Sequence, residues 1–268
     1  MQNVNFLEKI LAYKRQEVEA RKRQIPEQAL QEKIQQTHPP LSLAQALSID
    51  RLAVIAEIKK ASPSAGVIRE NCDPVQIAKS YVQAGANAIS VLTDEKFFQG
   101  SLQFIEQIRP FAPIPILRKD FIIDPYQILE ARAFGADALL LIVAALEKDL
   151  LSTLLEQTYA LGLEALVEVH TADEMEIAIA IGAKIIGINN RSLETFKIDL
   201  ATTEQLAQLA PFGTVLVAES GLHTKDDLQR MIRAGVDAVL VGTHFMKHPD
   251  PGVALQEFLK DFRQDEQD

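Results

Sequence analysis

Four near-copies of one phrase punctuate this chain of 268 residues. Ala-Gly-Ala-Asn-Ala-Ile-Ser-Val-Leu ends at Leu92. It is echoed by Phe-Gly-Ala-Asp-Ala-Leu-Leu-Leu-Ile (134–142), Ile-Gly-Ala-Lys-Ile-Ile-Gly-Ile (181–188) and Ala-Gly-Val-Asp-Ala-Val-Leu-Val-Gly (234–242). Each copy reads as the end of a helix, a glycine stop, a short turn and an apolar strand. The glycines are Gly85, Gly135, Gly182 and Gly235, about fifty residues apart, which is the length of two strand–helix units. The chain has room for about eight such units, as many as close a (β/α)8 barrel. The expected fold class is therefore α/β, a TIM barrel, with chemistry at the C-terminal ends of its strands. One domain is expected over 1–268, with residues 1–50 forming a helical extension packed on the barrel.

The rest of the pattern agrees. Strands are expected at 53–58, 87–92, 114–118, 137–142, 164–169, 184–188, 214–218 and 237–241. Most are unbroken apolar runs, as parallel strands covered on both faces require. Helical patterns at 74–84, 101–109, 124–134, 147–161, 172–181, 201–209, 224–233 and 251–263 separate them. Asp73-Pro74 and Asp124-Pro125 read as an N-cap followed by proline in the first helical position; Ser101, Thr171 and Thr224 read as further helix starts. Residues 5–24 form an amphipathic helix outside the repeats, and Ser42 caps a short helix at 42–48. Thr37 to Pro40 is a turn.

Charge and cysteine content limit the function classes. A net charge of −10 disfavours nucleic acid and anionic membrane as bulk partners, since both select cationic surfaces. It leaves room for a small anionic substrate held by a few local cations. Cys72 is the only cysteine, so a reducing, cytoplasmic setting is expected. No apolar run approaches the ~18 residues of a membrane span. The N-terminus lacks a signal-like apolar core, and Glu8, Glu17 and Glu19 speak against a transit peptide. A monomer or weak homo-oligomer is expected.

The strand ends carry chemistry-bearing side chains. Glu57 and Lys59, two apart on strand 1, point the same way; a surface ion pair is the plain alternative. Lys119 follows the apolar Ile-Pro-Ile-Leu run of strand 3, where desolvation is expected to lower its pKa towards acid–base use. Glu168 sits inside the apolar strand 5, as a proton shuttle or as a lysine's structural partner. Strand 6 ends in Asn189, able to orient a hydroxyl or carbonyl, and Arg191, able to grip a carboxylate or phosphate. Strands 7 and 8 end Glu219-Ser220-Gly221 and Gly242-Thr243. Glycines and hydroxyls there, with a short helix at about 243–247, suit a phosphate. His170 and His244 read as polar groups at the rim, and no metal-ligand spacing is present. Phe97 and Phe98 read as a cover over the barrel mouth or as a wall for an aromatic ligand.

Taken together, the phrases Ala56–Ser64, Val91–Ser101, Leu117–Phe121, Val167–Val169, Gly187–Leu193, Glu219–Gly221 and Val241–Gly242, with Leu11–Val18 before them, resemble the indole-3-glycerol phosphate synthase family along essentially the whole chain. The resemblance implies a lyase of tryptophan biosynthesis acting on 1-(2-carboxyphenylamino)-1-deoxyribulose 5-phosphate, with no metal or organic cofactor. It implies Lys119 as general acid, Glu168 in proton transfer, and Lys59 on the substrate carboxylate with proton donation as a second role open to it. Glu57, Asn189 and Glu219 would position these groups, and Arg191 would hold the anthranilate carboxylate. Ser62, Ser220, Gly221, Gly242 and Thr243 fall to the phosphate, and Phe98 and Phe121 to the anthranilate ring. Three alternatives remain. A phosphosugar isomerase expects a cysteine on strand 1, where Glu57 and Lys59 stand. A Schiff-base aldolase would use Lys119 as nucleophile. An inactive barrel kept as a scaffold predicts decayed strand ends, which this sequence does not show.

Overall fold

A computed structural model describes residues 6–193 and 195–263, with side chains through Lys260. Eight parallel strands close into a barrel: β1 (Ala53–Ile58), β2 (Ala88–Leu92), β3 (Ile116–Lys119), β4 (Ala138–Ile142), β5 (Glu164–Val169), β6 (Ile185–Asn189), β7 (Val215–Glu219) and β8 (Ala238–Val241). Each strand pairs with its sequence neighbours, and β8 closes on β1 through Ala53↔Ala238 and Ala56↔Val241. This is the expected fold. The four repeat glycines take left-handed φ angles of 80–91°, a conformation that costs glycine nothing and other residues strain.

The helix starts follow from capping chemistry. Asp73 accepts from the Val75 and Gln76 N–H groups, Asp124 from Tyr126 and Thr171 from Glu174. Thr224 and Asp227 form a reciprocal capping box. Ser101 departs from this pattern. Its hydroxyl bonds the Gln103 side chain instead of a backbone N–H.

The barrel interior and its outer layer are separate apolar clusters. Ala53, Ile55, Leu117, Leu140, Leu166, Ile185, Val217 and Leu240 fill the inside, joined by Leu43 and Leu47. The latter come from a short helix, Leu43–Leu47, capped by Ser42, which plugs the N-terminal end of the barrel. Val54, Ala56, Leu139, Val167 and Val239 face the surrounding helices. This alternation sets the site. Two residues beyond Ile55, Leu117, Leu166 and Val217 lie Glu57, Lys119, Glu168 and Glu219, so all four point inward at the C-terminal mouth.

The N-terminal segment holds one expected helix and one that was not expected. Helix α1 (Phe6–Gln24) buries Lys14, whereas Tyr13 is exposed; residue 5, where this helix was expected to start, lies outside the described residues. Lys14 lies on the line of Leu7, Leu11 and Val18, and its ammonium reaches Glu17, Asp94 and Asp120, each at 2.8 Å. A second helix, α2 (Glu27–Ile34), was not expected from the sequence. It is two turns long and buries only Leu30, too little to leave a periodic signature.

Candidate active site

A cavity of about 450 Å³ opens at the C-terminal mouth of the barrel. All fourteen candidate residues line it: Lys119, Glu168, Lys59, Glu57, Asn189, Glu219, Arg191, Ser62, Phe98, Phe121, Ser220, Gly221, Gly242 and Thr243. Helix α1 adds a wall that sequence reading missed, made by Phe6, Leu7 and Ile10. Of the two phenylalanines after β2, only Phe98 lines the cavity, 6.3 Å from Phe121 between ring centroids. Phe97 packs edge-on against Phe6 and Tyr13 of α1.

Lys119 is the centre of the charge pattern. It ends β3 two residues beyond the inward Leu117, so its side chain lies inside the barrel mouth. Its ammonium is 3.2 Å from Glu219 and 3.3 Å from Glu168. Burial by itself lowers the lysine's pKa, but the carboxylates of Glu219, Glu168 and Glu57 outweigh it and hold the pKa above the ordinary value. This corrects the expectation of a lowered lysine: desolvation acts as anticipated, and three carboxylates reverse its sign. Lys119 is thus a stable ammonium, a proton donor and not a free amine.

The carboxylates are pushed apart. Burial raises Glu219, Lys119 opposes, and Glu168 and Glu57 raise it again, to about 7 in all. Glu168 also suffers burial, but Lys119 and His170, with hydrogen bonds from Asn189 and Lys119, bring it below the ordinary value. At neutral pH one carboxylate is ionised and its neighbour is in part protonated, the division that lets adjacent acids take different roles. Across the mouth Lys59 pairs directly with Glu57.

Two glycines make this crowding sterically possible. A Cβ on Gly242 would overlap the Glu57 carboxylate, and one on Gly187 would overlap Glu219 Oε1. Gly242 was expected only in a phosphate cradle, and Gly187 was not singled out. Gly187→Ala is expected to displace Glu219 and lower kcat about tenfold, since sub-ångström misplacement at a reacting centre is costly; a kcat equal to that of the parent protein would show that Glu219's position is immaterial.

The phosphate-side loops are tied down by residues that sequence reading did not find. Asn190, buried, donates to the Ser220 carbonyl and accepts from Thr203. It thereby supports Ser220, whose φ of 67° is left-handed, a strain of order 1–3 kcal/mol that persists where the surroundings enforce it. Arg69 binds the carbonyls of Met246, His248 and Pro249, latching the loop after β1 onto the turn after β8. Arg191 donates to the Phe196 carbonyl, and its own N–H to Asn189 Oδ1. Among the described residues no carboxylate pairs with the Arg191 guanidinium. No cluster able to hold a metal occurs among those residues, and no helix there is long and apolar enough to cross a membrane.

His170 is also misjudged by sequence. It lies behind Glu168, with its side chain only 9% exposed, and bridges Glu168 and Glu174.

Comparison with known proteins gives a consistent result. The sequence model of the family described as indole-3-glycerol phosphate synthase matches residues 7–258. A protein of that name from Roseiflexus castenholzii is 51% identical over 261 residues, covering 94% of this chain and 97% of its own. One from Dehalococcoides mccartyi is 48% identical over 258 residues, covering 95% of this chain and all of its own. Among solved structures, KGPDC from Streptococcus mutans superposes with a TM-score of 0.62 at 16% identity, over 80% of this chain and 99% of its own. That likeness extends to the barrel fold alone.

Proposed function

The chain belongs to the indole-3-glycerol phosphate synthase family, and from that membership we propose how its residues divide the work. The reaction converts 1-(2-carboxyphenylamino)-1-deoxyribulose 5-phosphate into indole-3-glycerol phosphate, carbon dioxide and water, a carboxy-lyase step of tryptophan biosynthesis. In ring closure the arene carbon bearing the carboxylate bonds to the ribulose carbonyl carbon. Lys119 gives its proton to the carbonyl oxygen, which becomes a hydroxyl. The carboxylate then leaves as carbon dioxide, its bonding electrons restoring the arene. In dehydration that hydroxyl takes a proton from an ammonium at the mouth and leaves as water, while Glu168 accepts the proton the new ring releases.

What carries this assignment is the ammonium of Lys119 held between Glu219 and Glu168. A lysine kept charged is an acid; a carboxylate kept ionised beside it is a base. Glu219, titrating near neutrality, is suited to return protons to Lys119. Lys59, oriented by Glu57, takes the substrate carboxylate together with Arg191. Phe98, Phe121 and the α1 side chains Phe6, Leu7 and Ile10 enclose the aromatic ring. Ser62, Ser220, Gly221, Gly242 and Thr243 hold the phosphate. Binding at both ends of the substrate can turn its carboxylate out of conjugation with the arene, easing decarboxylation.

The protein is read as one functional unit of barrel plus helical extension, acting on a small phosphorylated metabolite without nucleic acid or membrane, in the cytoplasm, as a monomer or weak homo-oligomer. The direct test follows indole fluorescence on mixing the purified protein with the carboxyphenylamino substrate. Product at catalytic turnover is expected. Borohydride capture of a ketose phosphate on Lys119, with no indole formed, would instead make the site an aldolase.

A further inference from the structure

Behind Glu168 lies a group that the catalytic scheme does not use. His170 follows Glu168 by two residues at the end of β5, and its Nε2 is 3.4 Å from Glu168 Oε1. Its Nδ1 is 3.1 Å from Glu174 Oε2, and the same oxygen accepts the His170 backbone N–H at 2.7 Å. Glu174 is fixed in turn at the first turn of the helix Ala172–Ala180, where its own N–H donates to the Thr171 cap. The imidazole is therefore anchored at Nδ1, while its buried Nε2 faces Glu168 at ion-pair distance without a hydrogen bond among the described residues; it does not line the substrate cavity, and it can reach the substrate only through Glu168. The other oxygen of Glu168 faces Lys119.

We propose that His170, fixed by Glu174, is a positioning residue for the reaction: it sets the charge of an imidazolium against Glu168 Oε1, so that Oε2 faces Lys119 and the carboxylate stays ionised and ready to accept a proton. This rests on the reading of Glu168 as a proton acceptor. The charged groups around the imidazole are Glu168 on its own strand, Glu174 on the following helix, and Glu219 on β7, two strands away. The turn Val143–Ala145 packed against that helix carries no titratable side chain. All three neighbours are acidic, and they outweigh burial to raise the His170 pKa. The Glu168 carboxylate in turn feels His170 second only to Lys119 among its stabilising charges. Losing the cation raises the pKa of Glu168, so activity that needs its ionised form is lost at a higher pH on the acid side.

The test is the pH dependence of kcat for His170→Gln, whose amide retains a donor without the charge. The acid limb is expected to move up by about one pH unit, within the range that one nearby charge shifts a carboxylate, with KM little changed because His170 does not touch the substrate. Glu174→Gln, which keeps the imidazole but removes its anchor, should shift the same limb in the same direction. A limb unmoved in folded His170→Gln enzyme overturns the proposal; if that variant does not fold, an unmoved limb in Glu174→Gln does so. Glu168→Gln separates the two readings. Near-normal turnover there removes the premise about Glu168, whereas loss of turnover there with unmoved limbs in the other variants defeats the His170 proposal alone.

Discussion

Lys119→Met is expected to lower kcat by at least about 100-fold, the lower share ordinarily supplied by a positioned general acid. The parent ammonium has two carboxylates within 3.3 Å and a raised pKa, so the enzyme carries a charged donor throughout the neutral range. Methionine fills similar volume but delivers no proton. It also strips Glu168 and Glu219 of their shared cation, so both bind protons more tightly in the folded protein. Folded-state pKa values above the unfolded ones mean stability that falls as pH rises through them. The variant should therefore unfold more easily at pH 8 than at pH 5, by more than the parent does. Turnover is compared at equal folded fraction, and Lys119→Arg is measured beside it. Arginine keeps the charge but is too weak an acid to substitute, so it should recover stability and not rate. Rate within tenfold of the parent in the methionine variant would remove Lys119 from the chemistry.

Lys14→Met is the second large effect, and it acts on the fold. The Lys14 ammonium is wholly buried and meets Asp94 and Asp120, themselves fully buried, at 2.8 Å. Asp120 also takes Arg118 at 3.2 Å and the Thr93 hydroxyl at 2.6 Å, and accepts the Phe121 N–H. Removing one partner of a buried ion pair costs ~3–5 kcal/mol, and here it is Asp94 that is left buried with no ion pair among the described residues, while Asp120 keeps Arg118. Urea denaturation should show a loss of that size near pH 7. Its pH dependence follows from Asp120. Burial raises that carboxyl, while Lys14 and Arg118 bring it below the ordinary range. Its contribution is therefore present above the unfolded pKa and lost as pH falls through the folded one. The variant's Asp120 protonates at higher pH, so the gap to the parent should narrow below about pH 4, near the ordinary aspartate pKa. A gap under 1 kcal/mol at pH 7 would mean that the pairs contribute little. Because Asp120 adjoins Lys119 and holds Phe121, and because α1 supplies Phe6, Leu7 and Ile10 to the cavity, the variant should also bind substrate more weakly.

Much of the barrel was legible because strand and helix periods differ and glycine marks the boundaries. Seven of the eight strands start within one residue of where the apolar runs place them, and β3 starts later behind Pro115. That Glu57 and Lys59 share a direction was legible for the same reason, since alternation assigns side chains to faces; that Glu57, Lys119, Glu168 and Glu219 all face inward followed only once the inner cluster was placed. What was missed has a common origin. Lys14 shares the apolar line of Leu7, Leu11 and Val18, but its partners stay hidden until Asp94 and Asp120, more than seventy residues away, are brought against it. His170 reads as a rim group until Glu174 turns back from the next helix to hold it.

The order of apolar runs and glycine stops determined the closed barrel and the mouth at which its polar side chains gather, because both follow from periods read along a single strand or helix. The sign of the pKa shift at Lys119, the division of labour between Glu168 and Glu219, and the need for Gly187 and Gly242 were decided only by the tertiary structure. Charge and volume at a point depend on everything packed around it, and at this mouth the neighbours arrive from strands far apart in the chain.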